Sequence, residues 1–315
     1  MSTGGDAWPE LPYESGKATY ETLHLWTQIV GKIRLAQSPW WNHSWHVPLY
    51  LTPRGLTTSS IPHGARFFDL EFDFLEHRLH IRTSDGGSRS VALEPRSVAS
   101  FYADVMDKLE ELTVPVSIHE MPNEVESPIR FGEDAVHAAY DADIAERLWR
   151  ALLQIDRVFK QFQSGFLGKS SPVHFFWGSF DIAVTRFSGR EAPPHPGGVP
   201  NLPDQVAQEA YSHEVSSAGF WPGGEAHPEP VFYSYAYPAP DGFAQASVQP
   251  DAASWHDGLS EFVLPYEAVR SASAPDDVLL AFLQSTYEAA ADLGSWDRAA
   301  LDCEQGQPGV PRPIA

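Results

Sequence analysis

The spacing of apolar and polar residues divides the chain into helices and strands whose order recurs. From Tyr20 to Leu35 the apolar positions Leu23, Trp26, Val30 and Ile33 return at intervals of three and four, which is one face of a helix. A short loop leads to the strand-like segment from His46 to Thr52. Phe68, Leu70, Phe72 and Phe74 then alternate with Asp69, Glu71 and Asp73, a strict period of two that predicts a half-buried strand, and Ser84 to Gly87 supplies a hairpin turn. Val91 to Leu93 predicts a further short strand. Pro95 opens a helix that carries Val98, Phe101, Val105, Leu109 and Leu112 on one side.

The second half repeats this punctuation. Asp141 to Phe162 places Ile144, Leu148, Leu152, Ile155, Phe159 and Phe162 on one helical face, and after Gly165 a longer loop leads to the strand Phe180 to Thr185. Val231, Tyr233, Tyr235 and Tyr237 alternate with Phe232, Ser234 and Ala236; the chain then turns at Pro240 to Gly242 and is expected to pair back through Ala244 to Val248. Phe262 to Leu264 and a helix opened by Pro275, with Val278, Phe282 and Tyr287, complete the unit. Leu25-Trp26 is echoed by Leu148-Trp149, and Leu51-Thr52 by Val184-Thr185.

The fold class expected is therefore α+β. A duplicated α-β-β-β-β-α unit, residues 17–124 and 133–297, would pack about a pseudo-twofold axis, its antiparallel strands forming one extended sheet or two and its helices covering them. The acidic linker 120–134, with Pro122 and Pro128, marks the boundary, and residues 303–315 read as a disordered tail. The second unit carries an insertion, 189–230, in which 14 of 42 residues are Gly or Pro. Its His and aromatic residues distinguish it from a disordered segment, so an ordered lid over a site is expected, with a short helix from Asp204 to Tyr211 capped by Asp204.

Charge and composition narrow the function. Forty-two acidic against 21 basic residues give a net charge of −21, and without any Lys/Arg run this disfavours nucleic acid as a partner. No window approaches 18 consecutive apolar residues, and the opening stretch, residues 1–16, lacks the basic and apolar regions of a signal peptide, so no membrane partner and a cytoplasmic address are expected. The lone Cys303 excludes an internal disulfide framework and a cysteine-rich metal site. Neither GxGxxG, GxxxxGK[ST], HExxH nor GxSxG occurs, so no nucleotide or dinucleotide cofactor, zincin site or serine-hydrolase elbow is signalled.

Thirteen His and ten Trp remain, and their placement supplies the candidate chemistry. Trp40, Trp41, His43, Trp45 and His46 cluster at the first loop-to-strand junction, and His174, Trp177 and Asp181 at the equivalent junction of the second unit. Imidazoles in an aromatic cup suit a general acid or base, and a histidine-ligated metal is possible there. On a strand, residues i and i+3 face opposite ways, so His43 and His46 serve one site only if His43 lies in an irregular turn. The insertion adds His195, Tyr211, His213, Glu214 and Trp221.

The expected site thus has His43, His46, His174, His213 and Glu214 as acid/base groups or metal ligands. Trp45, Trp177, Asp181, His195, Tyr211, Trp221, Tyr233 and Tyr235 line a pocket between the units for a small-molecule ligand, and Arg186 anchors an anion. Two alternatives stand beside this enzyme reading: a small-molecule-binding or sensing protein using the same pocket, and an interaction protein with a buried aromatic seam. His77 and His80, next to Glu76 and Arg78, suit a solvated strand face.

Three segments carry a resemblance: Trp40 to Gly55 (WWNHSWHVPLYLTPRG), His174 to Asp181 (HFFWGSFD) with Thr185 to Gly189 (TRFSG), and Tyr211 to Pro222 (YSHEVSSAGFWP). Together they resemble an uncharacterised bacterial family catalogued as domain of unknown function 5996, over nearly the whole chain. The resemblance implies one family throughout and brings no activity, cofactor or site residue with it.

Overall fold

The spacing of Leu23, Trp26, Val30 and Ile33 does produce a helix, longer than the periodicity predicts: α1 runs Tyr13–Gln37. Sixteen of its 25 residues are buried, on every side, so α1 is a central helix and not a covering one. Its buried polar side chains are satisfied by loop carbonyls. Lys32 Nζ donates to Met121 O at 2.7 Å, and Arg34 donates to Pro48 O. The computed structural model describes residues 7–224 and 227–312. Residues 1–6 of the opening stretch, 225–226 of the insertion and 313–315 of the tail lie outside the described residues.

The antiparallel strands expected form two six-stranded sheets. The first contains β1 (Tyr50–Leu51), β2 (Gly55–Thr57), β3 (Ile61–His63), β4 (Arg66–Asp73), β5 (Arg78–Thr83) and β6 (Ser88–Ala92), in the order β1-β2-β4-β5-β6 with β3 also on β4. On β4 the alternation works as read: Phe68, Leu70 and Phe72 are buried, while Asp69 and Glu71 face outward and hold Arg82 of β5. Helix α2 (Val98–Glu111) covers the inner face with Val98, Phe101, Val105 and Leu109; Ser97 caps it, two residues after Pro95.

The second half opens with α3 (Ala142–Ser164), capped by Asp141. Strands β7 (His174–Phe176), β8 (Asp181–Glu191), β9 (His213–Trp221), β10 (Val231–Tyr237), β11 (Ser254–His256) and β12 (Glu261–Pro265) follow, with α4 (Asp204–Ala210) between β8 and β9. They pair in the order β11-β12-β10-β9-β8-β7. Helices α5 (Tyr266–Arg270), α6 (Pro275–Leu293) and α7 (Arg298–Leu301) complete the chain, and α3 and α6 cover one face of this sheet. Leu49 and Phe175 exchange both backbone hydrogen bonds, at 2.9 and 2.8 Å, so the two sheets meet edge to edge. A single hydrophobic cluster runs through both halves, with Trp26 stacked on Phe101 at 4.5 Å and near Tyr140 at 5.6 Å.

Several elements differ from the sequence reading. Only Tyr50–Leu51 of the segment His46 to Thr52 is strand, because Pro48 has no N–H to donate and Val47 N bonds back to Ser44 O. Residues 244–248 do not pair back on β10: Phe243–Gln245 is a 3₁₀ turn that buries Phe243 against Phe262, and β12 takes the place beside β10. The largest departure is in the insertion. Much of it is sheet, β8 extending to Glu191 and β9 forming a central strand, and the segment left over the sheet is residues 192–212. Asp204 does not cap α4; it occupies the first helical position after Pro203, and its carboxylate accepts from Gly198 N at 2.9 Å. In the tail, Cys303 N donates to Gly165 O and Gly306 N to Ser164 Oγ.

Candidate functional site

Period two on the second sheet sends alternate residues to opposite faces. Ile182, Val184, Ala218, Phe220, Phe232 and Leu264 face α3 and α6 and are buried. The other set, which includes Asp181, Thr185, Ser217, Tyr233, Tyr235 and Glu261, forms the floor of a cavity of about 1100 Å³. Its roof is built from α1, the linker around Glu124 and residues of 192–212.

Small residues on β9 let the tyrosines of β10 lie across the floor. Tyr233 is paired with Gly219 and Tyr235 with Ser217, and a Cβ at Gly219 would come within 2.2 Å of the Tyr233 oxygen. Tyr233 can therefore reach sideways and donate to Asp181 Oδ2, while Ser179 Oγ donates to Asp181 Oδ1 at 2.6 Å. Burial raises the Asp181 carboxyl above the usual range, against the lowering effect of these two donors. Burial and the neighbouring Asp181 also hold the Tyr233 phenol well above its ordinary value.

A second hydroxyl chain runs beside it. Tyr211 and Tyr235 hydroxyls lie 2.8 Å apart, Ser217 hydrogen-bonds Tyr235, and Thr185 Oγ1 is 2.8 Å from Ser217 Oγ. Burial pushes Tyr211 up to about 12.

Two further carboxyls of the cavity lining are shifted, Glu124 and Glu261, and the sequence reading missed both. Glu124 lies in the linker with φ of +60°, a left-handed conformation that costs a non-glycine residue on the order of 1 kcal/mol. Its carboxyl packs on the backbone of Gly178, where an added Cβ would meet Oε1 at 2.0 Å and displace the carboxyl. Gln28 clasps the adjacent Asn123 in both directions, accepting from its N–H and donating to its carbonyl, each at 2.8 Å. Glu261 begins β12 on the cavity face. Enclosure by protein, reinforced by the Asp181 charge, pushes both Glu124 and Glu261 up to about 7.

Carboxyls raised in this way make the folded state hold protons that the unfolded chain has released. Their stabilisation is complete below the unfolded value of 4.5 and is lost as pH rises through about 7. A double variant Glu124→Gln, Glu261→Gln is thus expected to lose less stability than wild type between about pH 5 and pH 8, as followed by urea unfolding. Equal losses in the two proteins would refute the assignment.

The expected histidine cluster is only partly assembled. Of the five histidines grouped above, His43 and His174 line the cavity, while His46, His195 and His213 do not. His43 does lie in an irregular turn, with φ of +57°, but its groups are engaged: Nδ1 donates to Ala210 O at 2.9 Å and Nε2 accepts from Lys169 at 2.5 Å. His46 accepts from Trp41 N at 3.2 Å and packs under Trp40. His174 is 2% exposed, packs edge-on against Phe176 and is pushed down to about 3 by burial, which keeps the ring neutral. His195 stacks on Tyr211 at 4.7 Å, and His213 sits 6.0 Å from His43 with Nδ1 near Ser212. Glu214 does not orient His213; it forms an ion pair with Arg190 at 2.6 Å.

Trp45, Trp177 and Trp221 do line the cavity. His24 on α1 joins them, with Nε2 2.7 Å from Gly178 O, so this nitrogen carries the proton. Among the described residues these histidines form no three-ligand group. The one such group is Asp73, Glu76 and His80 on the first sheet, where Arg54 already pairs with both carboxylates.

Arg186 is not an anion anchor. Its side chain points to the other face, where its guanidinium lies over Phe162 at 3.5 Å and Tyr287 at 4.3 Å and donates to Phe162 O, and Nε and Nη1 have no partner. Burial pushes it down to about 10. Arg186→Met is expected to hold stability within about 1 kcal/mol, because an apolar isostere relieves a poorly paired buried charge, while Arg186→Ala opens a cavity and costs roughly 3 kcal/mol. Urea unfolding of the pair checks this, and an Arg186→Met loss as large as that of Arg186→Ala would refute it.

Fold and cavity together define an α+β protein in which two antiparallel sheets share one core and one sheet carries a floor of carboxyls and tyrosines. The chain belongs to a family of unknown function, DUF5996, whose family model matches residues 8–303. No curated protein and no solved structure matches it. Among the described residues no helix is long and apolar enough to cross a membrane.

Proposed function

We propose that this protein is an enzyme that performs acid/base chemistry on a small organic molecule bound between the second sheet and the roof formed by α1, the linker and residues 192–212. The observation that carries the reading is the convergence of Asp181, Glu124 and Glu261 on one cavity, with Tyr233 and Ser179 hydrogen-bonded to Asp181. A carboxyl held near pH 7 can give up and take back a proton at little cost, as a general acid or base must. Glu124 and Glu261 have that property, and Asp181 with Tyr233 forms the paired acid. In this reading the histidines are walls and struts: His43 fastens residue 210, and the neutral His174 shapes the cavity.

The same reading takes the two halves, residues 17–124 and 133–297, as copies of one α-β-β-β-β-α unit. In support, each half runs from a long helix through an antiparallel meander to a second helix, and the equivalent junctions touch, with Trp177 Nε1 donating to Val47 O at 2.9 Å.

Incubation of a small-molecule extract with wild type and with Asp181→Asn, followed by mass spectrometry, tests the function. Compounds consumed by wild type and spared by the variant are expected. An extract left unchanged by wild type, in which single compounds still raise its unfolding temperature, would favour the binding or sensing alternative.

A further inference from the structure

We propose that the ligand of this cavity is an organic cation, an amine or quaternary ammonium compound, held against the aromatic walls with Asp181, Glu124 and Glu261 as its counter-charges. This assignment rests on reading the cavity as a ligand site.

The balance of charge around the cavity supports it. Its lining includes the carboxylates Glu21, Glu124, Glu126, Asp134, Asp181 and Glu261, but among the described residues Lys17 is the one lysine and there is no arginine. Glu21 lies 3.8 Å from Lys17, which balances that pair. The Asp134 carboxylate accepts from the backbone of Val136 and His137 and from His137 Nδ1, so it is spent on its own loop. Asp181, Glu124, Glu126 and Glu261 are left, Glu126 lying two residues beyond Glu124 in the linker, and among the described residues none of the four has a Lys or Arg within ion-pair distance. Carboxylates gathered in an enclosed space without a cation are costly, and a ligand that brings the missing positive charge removes that cost.

The histidine on the same wall does not supply the missing charge: His174 is 2% exposed and burial keeps its ring neutral. The aromatic faces also favour a cation: Trp45, Trp221, Tyr211, Tyr233, Tyr235 and Phe176 surround the space, and such rings attract cations through their quadrupoles.

The other two ligand classes fit less well. An anion would meet uncompensated carboxylates. A neutral polyol needs hydroxyl partners free to exchange hydrogen bonds, whereas those beside the carboxyls on the floor are already paired: Tyr211 with Tyr235, Thr185 with Ser217, and Tyr233 and Ser179 with Asp181.

Isothermal titration of the full chain at low salt with choline, with its uncharged isostere 3,3-dimethylbutan-1-ol and with glucose tests the assignment. Choline is expected to bind at least about 10-fold more tightly than the isostere. Glu124→Gln and Glu261→Gln should each weaken choline by about 5-fold and leave the isostere unchanged, and Trp45→Leu, which keeps every carboxyl, should weaken choline comparably. Equal binding of choline and the isostere, or binding of glucose alone, would overturn the cation assignment and leave the cavity as a ligand site. Silence from all three, from a chain that unfolds cooperatively, would overturn both.

Discussion

A single methyl group added at Gly31 is expected to cost the protein about 3 kcal/mol of stability. The expectation runs against helix propensity, by which Gly→Ala inside a helix gains about 1 kcal/mol. At Gly31 the gain is overridden by contact, since the new Cβ would lie 2.1 Å from the Trp177 ring. Trp177 cannot retreat. It is buried, and the edge that faces Gly31 is itself tied to the first half by the hydrogen bond from Nε1 to Val47 O. Either α1 or the indole must move, and α1 is packed on all sides. Urea unfolding of Gly31→Ala measures the loss, and adding Trp177→Leu should recover much of it, a coupling that marks the contact itself. A Gly31→Ala chain as stable as wild type would show that α1 and Trp177 do not pack as described.

The larger functional effect is expected at Asp181. With a substrate in hand, Asp181→Asn should lower kcat by about 10³-fold while changing KM little, because the carboxyl is assigned to proton transfer and not to bulk binding. Asparagine preserves the shape and can still accept from Ser179 or Tyr233, so the fold is expected to survive. Gly219→Ala reaches the same group from the other side: its methyl would occupy the place of the Tyr233 hydroxyl and displace the donor from Asp181. The two variants are expected to lower kcat together, and the pH profile of Gly219→Ala should shift where that of a merely destabilised protein would not. Full turnover in Asp181→Asn would remove Asp181 from the chemistry.

What could be read from the sequence depended on whether the cause was local. Phe68 to Phe74 alternates because one face of β4 meets solvent, and α3 is periodic because it covers a sheet, so both show in a short window. Strand β9 does not. Ser216, Ser217, Ala218 and Gly219 look like loop residues, and they are small because Tyr233 and Tyr235 of the next strand lie over two of them, a reason located elsewhere in the chain.

Arg186 follows the same rule: which way it points is decided by Phe162 and Tyr287, not by its neighbours in sequence. The aromatic half of the site was legible, since Trp45, Trp177, Trp221, Tyr211, Tyr233 and Tyr235 do line the cavity. Of the carboxyl half only Asp181 was, because Glu124 and Glu261 come from a linker and another strand and share no spacing with it. The one local hint at Glu261 is a charged residue opening an otherwise apolar strand.

The fastening of the linker has a consequence for how the cavity could open. Glu124 donates its backbone N–H to Pro200 O at 2.8 Å, and Asn201 Nδ2 donates to Val125 O at 3.1 Å, so the loop bearing this carboxyl and the segment over the sheet are hooked to each other. Lifting residues 199–202 to admit a ligand releases the very bond that holds Glu124 in its left-handed turn. Under the proposed acid/base role this is an interlock: with the hatch ajar one of the three acids would lose its hold, and the set would be complete only with it shut.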